Sequence, residues 1–323
     1  MRSILTSIAL VILMATAGVP ATARAADDGT HPPTKDDRSL NDHWFIPSGR
    51  LADPFVTSHV RSRVAAGFAS RFKSPYIVVS GDTLGQLEGD LAFFGLDFEY
   101  QQNLFHMASL RLSLEGNARA GTSGGTMLAN GVTSLYGFEL EGKGRILRRS
   151  KMELTGVVGM SRKSAFDINL IRFAKGILDS GEAKTGELVE ESDIERYYAG
   201  PAVAYAVKPW LGFTGYAFFG SAKPFDRSSV DHFLFRGAIT GEVDFGKLSK
   251  YPVGLVLGYD MDSFPEAADT RIEGIPTWTI QVAYTGREDF SLGLEVASSK
   301  LEISDAESAF HSTVINVNMR YYF

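Results

Sequence analysis

The chain has 323 residues, no cysteine and a formal charge of −6. Without cysteine it has neither disulfide staples nor cysteine-ligated metal, and the acidic balance gives no footing for nucleic acid. Beyond residue 25 there is no run of 18 apolar residues, which excludes a membrane-spanning helix there.

Residues 1–25 read MRSILTSIALVILMATAGVPATARA. Arg2 supplies a positive start, Ile4 to Ala17 an apolar run, and Ala23-Arg24-Ala25 a small-x-small cleavage site, so a signal peptide is expected. Its removal leaves 298 residues and, with two arginines gone, a charge of −8. Residues 26–58, rich in Asp, Pro, His and Ser, are predicted to be an irregular periplasmic N-terminal segment.

From His59 the side-chain period is two, the signature of strands. Twelve are predicted, at 59–69, 90–101, 105–119, 135–145, 152–162, 195–207, 211–220, 232–245, 251–262, 277–285, 290–300 and 312–323. In the second, Ala92, Phe94, Leu96, Phe98 and Tyr100 share one face; in the fourth, Tyr136, Phe138 and Leu140 alternate with Glu139, Glu141 and Lys143. Short connectors near 102–104, 148–151, 208–210, 246–250 and 286–289 alternate with longer ones at 70–89, 120–134, 163–194, 221–231, 263–276 and 301–311. Short turns on one side, long loops on the other and an even strand number predict an all-β fold. That fold is a single closed antiparallel transmembrane β-barrel over residues 59–323. Closure is required because each unpaired backbone group would cost several kcal/mol in lipid. A periplasmic sandwich could use the same alternation, but strands of about ten residues are long for it.

The final strand, STVINVNMRYYF, puts Val317, Met319, Tyr321 and Phe323 on one face. An amphipathic terminal strand ending in Phe resembles the assembly signal of Gram-negative outer-membrane barrels; Tyr322 is bulkier than the residue often found there. The resemblance implies a bacterial outer membrane location, insertion by the barrel-assembly machinery, and outer-membrane lipid and lipopolysaccharide as surroundings.

Under this register the lumen receives Asp97, Glu99, Arg111, Glu115, Arg119, Glu139, Glu141, Lys143, Arg145, Glu153, Arg236, Glu242, Asp244, Asp260, Glu295 and Arg320. With Arg61 and Arg63 that makes ten carboxylates against eight cations. Glu139, Glu141, Lys143, Arg145, Arg111, Glu115, Arg236 and Glu242 are the selectivity candidates, since lumen charges tune passage. The expected function is a narrow, weakly cation-preferring channel for small polar solutes. The alternatives are a closed structural or lipid- or ligand-binding barrel in which Arg111 and Lys143 cancel these acids, and an outer-membrane lipid hydrolase.

Gly200, Ala202, Ala204, Ala206 and Gly212 leave room along one inner wall, and Ile168, Ile171, Ala174 and Leu178 recur at helical spacing. A short helix at 166–178 folding against that wall is one expectation; a helix on the rim is the other. For hydrolysis, AVKPW at 206–210 loosely resembles a segment of the outer-membrane phospholipase, but the preceding strand lacks a His-x-Ser motif. His311 and Ser312 are adjacent, so a strand would face them apart. No histidines fall at metal-ligand spacing, and no cofactor is expected. About 33 residues separate the cleavage point from the first strand, so a passenger-bearing autotransporter is not expected.

Overall fold

The computed structural model describes residues 38–73, 77–79, 82–85, 88–104, 107–122, 132–168, 189–223, 232–263, 275–302 and 309–323. The predicted signal peptide and residues 26–37 lie outside these. Twelve barrel strands run as β1 His59–Lys73, β2 Glu88–Leu104, β3 Ala108–Gly121, β4 Val132–Arg149, β5 Met152–Ile168, β6 Val189–Lys208, β7 Leu211–Lys223, β8 His232–Asp244, β9 Val253–Asp262, β10 Ile275–Tyr284, β11 Phe290–Glu302 and β12 Ala309–Tyr322. Each pairs antiparallel with its neighbour in the chain. The last closes on the first, from Tyr322↔His59 to His311↔Ser70.

The closed, all-β architecture expected from the sequence is therefore the one found. Among the described residues no helix is long and apolar enough to cross a membrane. Several strands run past their predicted ends; β6, for example, begins at Val189 rather than 195. Its pairing with β5 continues through Val189↔Ile168, so Phe166–Ile168 are strand and not the start of a helix. The rest of the helix expected at 166–178 lies outside the described residues.

Side-chain alternation sets inside against outside. Along β12, Ile315, Val317, Met319 and Tyr321 are exposed, whereas Asn316, Asn318 and Arg320 are buried. Leu294 and Val296 repeat this on β11, as do Ile280 and Val282 on β10. An exposed apolar belt around a closed wall belongs in hydrocarbon, where every backbone group is satisfied by its neighbouring strands.

Residues 38–58 belong to the segment read from sequence as a periplasmic lead-in, and they lie within the ring of strands. The segment starts at the short-turn end, the periplasmic end of such barrels. There Arg38 donates to the Glu288 carbonyl (2.6 Å), and Arg148 to that of Ser39 (3.0 Å). A two-residue ladder, Ser39–Leu40 with His43–Trp44, turns through Asn41 and Asp42. Both have positive φ, 50° and 61°, the backbone of a tight hairpin turn in which Asn and Asp are tolerated. The chain climbs to Gly49–Asp53 and returns, so that the Phe55 and Thr57 carbonyls accept from Gln101 on β2 (3.0 and 2.7 Å). Ser48 Oγ accepts from the amides of Arg50 and Leu51, and Asp53 Oδ1 from that of Phe55, closing the bends locally.

Candidate functional site: the charged lumen and its inner segment

The wall was built to receive this segment. Phe45, Phe55 and Leu40 pack against Ala204 and Ala206 of β6 in one buried cluster. Any Cβ on Gly212 would overlap the His43 ring, and one on Gly254 would overlap Ile46 Cδ1. The space beside Ala204, Ala206 and Gly212 is thus filled by the N-terminal segment, whose Leu40, Phe45, Ile46, Leu51 and Phe55 are almost fully buried. Burying each such side chain contributes about 1.5–3 kcal/mol.

Polar contacts complete the docking. Glu242 on β8 accepts from the Ile46 amide (2.7 Å) and meets His43 Nε2 (3.3 Å). Glu295 on β11 accepts from Ser48 Oγ (2.8 Å) and the Gly49 amide (3.0 Å). Gln281 Nε2 donates to the Pro47 carbonyl and Thr155 Oγ1 to that of Pro54. Asp53 receives Arg320, and Lys143 Nζ donates to its carbonyl oxygen (2.8 Å). Burial by itself raises the Asp53 pKa, but Lys143, Arg320 and His59 outweigh it and hold the carboxyl well below its ordinary 3.8.

The sequence-predicted lumen residues form a network. Arg111 grips Glu141 with two bonds (3.1 and 2.9 Å) and also reaches Glu139 (3.0 Å) and Glu99 (2.8 Å). Tyr198 donates to both Glu139 and Glu141, and Arg236 lies 3.5 Å from Glu139. Glu115 pairs with Lys163 (2.6 Å), and Arg145 and Arg148 both pair with Glu153 (3.1 and 2.6 Å). Glu242, Lys143, Glu295, Arg320, Arg61 and Arg63 serve the inner segment directly.

Above the segment, toward the long loops, a cavity of about 380 Å³ opens. Its floor is Arg50–Asp53; nine cationic and seven acidic side chains line it. Lys163, Arg196 and Asp262 line it without having been counted from sequence. Arg196 shares the inward parity of Ala202 and Ala204, and Asp262 that of Asp260, so strand alternation marked both. Lys163 was missed because β5 was expected to end at Arg162.

The four assembly-signal residues lie on the outside, each a little under half exposed, and the Phe323 ring stacks near Tyr100 at 6.1 Å. His311 faces out and Ser312 in, across the wall from one another. Among the described residues no group of three or more possible metal ligands occurs.

No protein-family model matches the chain, and no curated protein sequence does. Solved structures resemble it in outline. The translocator domain of the autotransporter NalP from Neisseria meningitidis has a TM-score of 0.49 at 9% identity, over 85% of this chain and 90% of that one. An outer membrane channel from Pseudomonas putida F1 has a TM-score of 0.49 at 12% identity, over 86% and 100%. The transport unit of the autotransporter AIDA-I from Escherichia coli has a TM-score of 0.48 at 11% identity, over 91% and 100%. The wall itself, closed, apolar outside and charged inside, is that of an outer-membrane β-barrel. Such a barrel implies a lipid and lipopolysaccharide surround and insertion by the barrel-assembly machinery.

Proposed function

We propose that the protein passes small polar solutes through a narrow, charged lumen whose width is set by residues 38–58. The observation that carries this reading is the charge-lined cavity of about 380 Å³ above a segment that occupies the opposite half of the barrel. A lumen meant only to be filled could have been apolar, at lower desolvation cost than these ion pairs. Ordered charges with a cavity beside them suit a wet passage. The cation preference expected from ten carboxylates against eight cations is not favoured by the cavity's own lining, nine cationic against seven acidic side chains. The reversal potential across a salt gradient measures it.

The test is purified protein in a planar bilayer. Discrete single-channel steps, with selectivity altered by Glu139→Gln or Glu141→Gln, support the reading. A folded barrel that conducts nothing rejects it in favour of the second reading, a closed ligand-binding barrel. That reading draws on the same inner segment, which gives the outer cavity a floor.

A further inference from the structure

Three cavities lie in series along one side of the inner segment. The outer one, about 380 Å³, shares Leu51, Ala52 and Asp53 with a middle one of about 20 Å³. The middle one shares Arg38, Phe45, Ile46 and Pro47 with a cleft of about 190 Å³ at the short-turn end. The two wide ends are lined by charges, among them Arg236 and Asp262 above and Lys247 and Arg287 below. The middle holds about one water.

Resting on the channel reading above, we propose that the passage runs beside the inner segment, past β7 and β8 at one level and out through the cleft between the ends of β8, β10 and β11. Its narrowest point lies between Leu51 and the hydroxyl pair Thr214–Thr240. These two threonines are the barrel-wall residues of the middle cavity among the described residues. Their hydroxyls lie 2.6 Å apart, and neither bonds to the inner segment. Elsewhere the segment is sealed to the wall: Gln281, Thr155 and Gln101 each donate to one of its carbonyls. At the level of Thr214 and Thr240 no wall side chain bonds the segment; the next inward residue of β8, Glu242, already holds the Ile46 amide (2.7 Å), so the gap in the seal is confined to this threonine pair and is where water and small ions thread through. Leu51 has room for its side chain because β9 carries Gly258, where a Cβ would sit 3.0 Å from Leu51 Cδ1. The constriction thus has one apolar jaw, borne by the segment, and one polar jaw, borne by the wall. It admits species the size of water or a largely dehydrated ion.

Bilayer conductance in potassium chloride of wild type, Leu51→Ala and Thr214→Phe tests this, with the heat-modifiable band as the check on folding. Leu51→Ala removes three carbons from a one-water gap and raises conductance by roughly a factor of two or more; Thr214→Phe fills the gap and abolishes it. A conducting barrel indifferent to both substitutions overturns the side passage and leaves the channel reading standing. A folded barrel that conducts in none of the three forms overturns both.

Discussion

Lys143, on β4, donates to the Asp53 carbonyl oxygen at 2.8 Å and lies 3.7 Å from its carboxylate. A lysine expected to line an open passage therefore holds the inner segment in place. Arg320 on β12 reaches the same aspartate from the other side, so the bend at Asp53 is clamped between strands far apart in sequence.

Breaking that clamp should loosen the segment without unfolding the wall. Lys143→Met leaves a buried carboxylate short of a partner, a loss of about 3 kcal/mol or more. Trypsin should then cut at Arg50 faster than in wild type, with the barrel band intact on a gel. Unchanged cleavage would place the stability of the segment in its apolar anchors.

Acid should act on the same bend. The Asp53 pKa is lower folded than unfolded. Its contribution is therefore complete above about 3.8 and drains away as pH falls further, toward the folded value. Pepsin cleavage of residues 38–58, normalised at each pH to cleavage of an unfolded substrate, should be negligible at pH 5 and rise progressively below 3.8. Release that is complete by pH 5 would contradict the assignment to Asp53.

Glycine supplies the room on β9. Gly254→Val places methyls where Ile46 Cδ1 lies, forcing that side chain out of its pocket beside Val256 and Ala283. Overpacking of this kind costs about 1–3 kcal/mol. Faster trypsin cleavage at Arg50, in a barrel of normal melting temperature, is expected. A lowered barrel melting temperature with an unaltered segment would mean that the strand, not the segment, carries the strain.

At the chain end, Phe323→Ala removes an exposed ring from the short-turn interface, where aromatic girdles sit. The resemblance to the assembly signal predicts slower insertion and less heat-modifiable barrel in the outer membrane. Normal levels of folded protein would count against that role.

The strands were legible because lipid on one side and charge on the other impose a period of two over 12 pairings; Phe94-Gly95-Leu96-Asp97-Phe98-Glu99 reads in and out without ambiguity. The inner segment has no such period. Apart from bonds within the segment, such as the bends at Ser48 and Asp53, its backbone bonds to side chains reach residues from 12 to 246 positions away, which no local pattern encodes. Two signs were nevertheless present. Leu40, Trp44, Phe45, Ile46, Leu51, Phe55 and Val56 are apolar in a stretch without strand period, and Ala204, Ala206 and Gly212 left room on the wall. The wall was read correctly as space, but a loop was offered as its occupant. The charge network was half legible: which residues face inward follows from parity, whereas Arg111 bridging Glu99, Glu139 and Glu141 depends on the register of β2 and β4 against β3.

The occupied lumen is tested most directly by a single thiol, since the chain has no cysteine of its own. Val56 is fully buried within the barrel, so Val56→Cys should resist a water-soluble maleimide in the folded protein and react once heat and urea open the wall. Leu104→Cys, exposed at the end of β2, sets the reference rate. Protection of residue 56 by at least tenfold over that reference is the expected result. Labelling of the folded barrel at the rate of Leu104→Cys would place residues 38–58 outside the lumen and contradict the account.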